Sequence, residues 1–128
     1  MKAPDLPKAR SLVLASEKEM HYLLSLKKSA EGASTIVSRI YECFHQLGQA
    51  LLVMDGKVCN HEDRIRALIS LQIVASRPLQ ALDWLRTVRH NINYNGYQAS
   101  LADLTEAVSL AEAFWSAVLE EVKRKILK

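Results

Sequence analysis

Residues 34–55 read STIVSRIYECFHQLGQALLVMD, and within them Val37, Ile40, Phe44, Leu47, Leu51 and Met54 follow one another in alternating steps of three and four. That spacing lays the apolar side chains along one stripe of an α-helix, because a turn of about 3.6 residues returns each to the same side. A second stripe of this kind runs through Leu101, Leu104, Val108, Ala111, Trp115, Val118 and Val122. From residue 8 to residue 30 the pattern is looser, yet Leu12, Ala15, Leu23, Leu26 and Ala30, thickened by Val13, Met20 and Leu24, still compose one face. Apolar stripes need partner surfaces, so these segments predict helices packed on helices.

Residues with a backbone reason for their place mark the boundaries. Gly32 and Gly56 follow apolar runs and predict helix ends, since glycine enters the left-handed conformation without a Cβ clash. Asn60 ahead of HEDRIRALISLQIV, with acids in the first turn, predicts a start; so does Pro78, whose missing N–H has no partner in a first turn. Ser100 with Asp103 reads as a capping box, and Asn95-Gly96 before it as a turn. Five helices are predicted, at about 8–31, 34–55, 61–75, 78–94 and 101–127. With no strand-period alternation read along the chain, the expected fold is all-α, an antiparallel up-and-down bundle forming one domain over residues 1–128. Gly48 sits inside a predicted helix, where glycine costs about 1 kcal/mol against alanine, and so predicts the close approach of a neighbouring helix.

Apolar residues make up 49% of the chain and charged ones 24%, which excludes a disordered polymer. A net charge of +3 permits nucleic-acid contact without arguing for it. The longest uncharged stretch, His90 to Ala102, is mostly polar, so no membrane span is expected. The opening MKAPDLPKAR has no apolar signal-peptide centre, and Cys43 and Cys59 are too few for a disulfide framework; a reducing cytoplasm is the expected location.

Cys43-Phe44-His45 and Cys59-Asn60-His61 repeat a Cys-x-His pattern. Residues two apart on a helix diverge by about 200°, so no metal site is expected, and the first pair reads as a core cysteine beside a half-exposed histidine. No cofactor is implied, because Gly-x-Ser-x-Gly, His-Glu-x-x-His and a glycine-rich phosphate loop are all missing from the sequence. Lys123, Arg124, Lys125 and Lys128 suit the negative pole of the last helix, while Asp103, Glu106, Glu112, Glu120 and Glu121 give that helix an acidic face that repels a phosphate backbone. Phe114, Trp115 and Leu119 widen its apolar stripe beyond what one neighbouring helix covers, which predicts a homodimer.

Polarity is concentrated in RTVRHNINYNGY, from Arg86 to Tyr97, where the fourth helix ends. Leu82, Leu85, Val88 and Ile92 define its buried side, so Arg89, four residues after Leu85, emerges at the edge and needs a partner. Asn93 lies on the same side, whereas Arg86 and His90 form an exposed pair four apart. Arg86, Arg89, Asn93 and Tyr97 are the residues expected to bind an anion such as phosphate. The competing reading is a helix end stabilised by Arg and His and closed by an Asn-Gly turn.

This stretch resembles the HEPN domain family, the small helical bundles of prokaryotic toxin–antitoxin, defence and nucleotidyltransferase-associated systems. The family signature is an arginine, often followed by Asn, Asp or His, with a histidine four to six residues further on; Arg89 and His90 match its opening. The layout is similar too: two long helices, a shorter one opening on Asn60-His61-Glu62-Asp63, a helix carrying the signature, and a long final helix. In active members the arginine and histidine meet at a dimer interface and cleave RNA without a metal. Here Tyr94 stands where the histidine belongs, and tyrosine, with a pKa of about 10, scarcely accepts a proton at neutral pH. The resemblance therefore implies a catalytic set of Arg89, His90 and Tyr94 with degenerate or weak ribonuclease activity. It implies a protein that binds RNA, a nucleotide or a partner such as an antitoxin or a minimal nucleotidyltransferase. The alternatives are an active ribonuclease toxin using Arg89 and His90, and an unrelated helical adaptor. Arg39 and His45 also match the signature formally, but within one helix they diverge by about 240°.

Overall fold

The computed structural model describes residues 3–57 and 61–127, the side chains of 61 and 62 excepted. The expected cap at Asn60 and the Cys59 and His61 pair lie outside the described residues. Five α-helices follow in order: α1 (Leu6–Ser25), α2 (Ala33–Met54), α3 (His61–Ile69), α4 (Leu82–Tyr94) and α5 (Leu101–Ile126), with a 3-10 turn at Leu79–Ala81 leading into α4. The chain is an all-α bundle, with no strand among the described residues.

α2 is its centre and packs against each of the other four helices. Val37, Ile40, Phe44 and Leu47 of the predicted stripe are fully buried, and Ile36, Tyr41, Cys43, Ala50 and Leu52 bury the remaining sides. A helix surrounded in this way loses the polar face that a surface helix keeps. Phe44 meets the edge of Trp115 from α5, with ring centroids 5.1 Å apart and planes at 84°. Gly48 does what its position predicts: a Cβ there would lie 2.0 Å from the carbonyl oxygen of Arg64, so the backbone of α3 rests on the bare backbone of α2.

Several boundaries differ from expectation. α1 ends at Ser25, well before residue 31, because Leu26 turns extended (φ −75°, ψ 149°). Leu26 still packs against the core, from a loop rather than a helix. Gly32 is not left-handed; at φ −91° it caps the start of α2, its N–H donating to Ser29 Oγ at 3.2 Å. Gly56, at φ 69°, does end α2, with the Lys57 N–H donating to the Leu52 carbonyl at 2.9 Å and its own to Val53 at 3.2 Å. α3 stops at Ile69 rather than near 75. Beyond it Leu71, Ile73 and Ala75 turn towards the core, while Gln72, Val74 (97% exposed) and Ser76 face out. That is a period of two outside any helix, where the branched pair Ile73-Val74 disfavours helix. Pro78 is extended ahead of the 3-10 turn, so α4 begins at Leu82 rather than at residue 78.

α5 opens on the expected capping box, Asp103 N–H donating to Ser100 Oγ and Ser100 N–H to Asp103 Oδ2, both at 3.0 Å. Near its other end Lys123 reaches Glu17 of α1 at 2.9 Å, and Arg124 pairs with Glu121. Phe114 and Leu119, expected to leave apolar surface over for a second copy, are buried within the bundle, and Trp115 is half-buried on Phe44; Leu101, at the start of the stripe, is exposed. None of the described helices is long and apolar enough to cross a membrane.

Candidate functional site

Leu82, Leu85 and Val88 hold α4 against the core, and Arg89 emerges at the edge of that contact with 18% of its side chain exposed. Its partner is Glu42 of α2, Nη2 to Oε1 at 3.0 Å. Asn93, one turn on, turns its amide oxygen to the guanidinium and accepts from Nε at 3.1 Å and Nη2 at 3.3 Å, in the orientation that satisfies both groups. The Tyr41 ring lies beneath, 5.5 Å from the guanidinium carbon to the ring centroid. Among the described residues Nη1 has no partner. Arg89 is thus an oriented cation with one amino group uncommitted, a form suited to phosphate or carboxylate oxygens.

The charged seam continues from Glu42 towards α3. Glu42 Oε2 lies 3.6 Å from His45 Nδ1, and Arg64 Nη1 lies 3.1 Å from His45 Nε2. The Tyr41 and His45 rings are 5.5 Å apart. His45 is only 3% exposed, against the expectation of a half-exposed side chain, because Gly48 lets α3 close over this part of α2. Burial, and then the charge of Glu42, push the Tyr41 hydroxyl up to about 12, while Arg89, Arg86 and Arg64 pull it the other way. Arg39 turns elsewhere, to Glu19 of α1 at 2.7 Å, so it does not meet His45. Cys43, fully buried beside that pair, has its thiol pushed upward by burial first and by Glu19 next, which leaves it unreactive.

The remaining residues singled out from sequence have separate places. Arg86 binds Asp83 at 2.8 Å. His90 is exposed, its ring centroid 4.9 Å from that of Tyr94, which is 68% exposed. Tyr97 donates its hydroxyl to Asp103 Oδ2 at 2.5 Å and belongs to the cap of α5 rather than to Arg89. That bond, more than the Ser100 bonds, holds the Asp103 carboxyl below its usual range. Gly96, at φ 66°, closes α4, with the Asn91 carbonyl accepting from Asn95 and Tyr97 N–H at 3.0 and 3.1 Å. The Asn-Gly turn is therefore real beside the arginine site. Residues five apart on a helix point about 140° from each other, so Arg89 and Tyr94 diverge within one chain.

Sequence reasoning missed Tyr41, Glu42, His45 and Arg64. One signal was available: Glu42 is the only carboxylate of α2, and a carboxylate in a helix buried on most sides requires a cation. Among the described residues no three His, Cys, Asp or Glu side chains could hold a metal ion. A cavity of about 830 Å³ lies apart from the seam, between the end of α2, α3 and the end of α5, beside Leu52, Lys57, Arg66 and Ile126. Compared with known proteins, the chain matches no family model, no curated protein and no solved structure.

Proposed function

We propose that this is a HEPN-like protein of a toxin–antitoxin or defence system, cytoplasmic, that binds RNA through Arg89 and cleaves it weakly or not at all. The observation that carries the reading is the guanidinium of Arg89, fixed by Glu42, Asn93 and Tyr41 with Nη1 uncommitted. A cation held in this way donates to phosphate oxygens without first losing side-chain freedom. The exposed rings of His90 and Tyr94 follow on the same helix and offer stacking surfaces for unpaired bases. The partner protein that goes with this reading is an antitoxin or a minimal nucleotidyltransferase.

Arg89→Ala is expected to weaken binding of a single-stranded RNA about tenfold or more, since a hydrogen bond to a charged group contributes about 1.5–3 kcal/mol. Arg124→Ala should bind as the parent does, because Arg124 already pairs with Glu121. Fluorescence anisotropy at one fixed salt concentration reads both, after circular dichroism has shown that each variant is helical. Binding that survives Arg89→Ala and fails in Arg124→Ala moves the site to the end of α5.

The same reading makes the protein a homodimer. Arg89 and Tyr94 diverge within one chain, and Tyr94, Tyr97 and Leu101 are exposed around the α4 to α5 turn. Burying these three against a second copy sets Tyr94 of one copy beside the arginine helix of the other. Light scattering at micromolar concentration is expected to return twice the 14.4 kDa of the chain. A particle of the single mass removes the composite cleft.

A further inference from the structure

Glu42 does more than hold Arg89, because it also sets the charge an incoming anion meets. The two side chains are 18% and 22% exposed and lie 3.0 Å apart, so their charges are poorly screened by water. An anion on Nη1 therefore reaches a cation whose other amino group already carries a carboxylate. Arg64, the other cation of the seam, lies 3.1 Å from His45 Nε2.

We propose that Glu42 makes this site select a singly charged phosphodiester, as found inside a nucleic-acid strand, over the doubly charged monoester of a free nucleotide or strand end. The proposal rests on Arg89 as the phosphate-binding cation and specifies which phosphate it takes. Glu42, 3.0 Å from the same guanidinium, offsets part of the attraction that each phosphate charge gains from Arg89, so a second charge adds less than it would beside an arginine without a carboxylate. The dianion also gives up more hydration on entering a half-buried site. Arginines without such a carboxylate favour the dianion instead.

The test is a nuclear magnetic resonance titration of the full chain with dimethyl phosphate and with methyl phosphate at pH 8, where the monoester, with a second pKa of about 6, is a dianion. The parent chain is expected to bind the diester at least as tightly as the monoester, and Arg89→Ala to lose both. Glu42→Gln keeps an oxygen that accepts from Arg89 and removes the charge; it should tighten the monoester about tenfold more than the diester. Glu42→Asp keeps the charge and should keep the parent ratio. Binding that depends on Arg89 but prefers the monoester in the parent, or has the same ratio in Glu42→Gln, overturns the selectivity and leaves the phosphate reading standing. A ratio altered equally by Gln and Asp assigns the effect to geometry and likewise overturns it. Probes that act alike on the parent and Arg89→Ala, or bind neither, overturn the phosphate reading and the selectivity together.

Discussion

Gly48→Ala is expected to cost the fold about 3 kcal/mol or more, at the upper end of what overpacking a core costs. Helix propensity alone predicts the opposite sign, a gain of about 1 kcal/mol. Packing wins because the atoms in the way are backbone: the Arg64 carbonyl oxygen at 2.0 Å, its carbon at 2.6 Å and its Cα at 3.0 Å from the added Cβ. No rotamer change relieves them, so α3 must lift off α2, taking buried Ile65 and Leu68 with it. Two other glycines serve as controls. Gly96→Ala meets nothing within 4 Å but stands at φ 66°, and should lose about 1–2 kcal/mol to the left-handed backbone. Gly32→Ala, at φ −91° with its nearest neighbour at 3.5 Å, should be close to neutral. Urea unfolding followed by circular dichroism ranks the three; a Gly48→Ala chain as stable as the parent contradicts the close approach.

Tyr94→His is expected to raise metal-independent RNA cleavage several hundred-fold, within the range of about 100- to 10,000-fold that a positioned acid–base group contributes. The exposed site lets the new imidazole titrate near its ordinary pKa of about 6.5, where a base working at neutral pH is most effective. Affinity should change little, since Arg89 and its three supports are untouched. A fluorescent RNA incubated with a chelator reports the rate. If Tyr94→His leaves the rate unchanged, the tyrosine is not the missing base. If the parent cleaves well, loses this on His90→Ala and keeps it in Tyr94→Phe, catalysis belongs to His90.

How much was legible in advance follows from how far apart the cooperating residues lie. α2, α5 and the Ser100–Asp103 cap rest on offsets of three and four, which a sequence displays directly. Asn93 was placed beside Arg89 for the same reason. The ends of α1 and α3 were read too late because Leu26, Leu71, Ile73 and Ala75 are apolar and do pack on the core, but from beyond the helix ends. Hydrophobic spacing records that a residue is buried, not which backbone buries it. Glu42 escaped because a contact between α2 and α4 leaves no spacing to find. His45 was misjudged because its burial depends on α3, which Gly48 alone admits.

The central position of α2 also governs the order in which the molecule can assemble. Once the chain has been made as far as residue 57, α1 and α2 can pair as a hairpin. The side of α2 that carries Phe44 waits for Trp115, and Glu17 on α1 waits for Lys123, 106 residues later. Until α5 has been synthesised the hairpin presents an uncovered apolar wall, the kind of surface through which partly made chains aggregate. Closing that long loop is the costly entropic step, so the bundle is completed only once α5 has been made rather than helix by helix along the way.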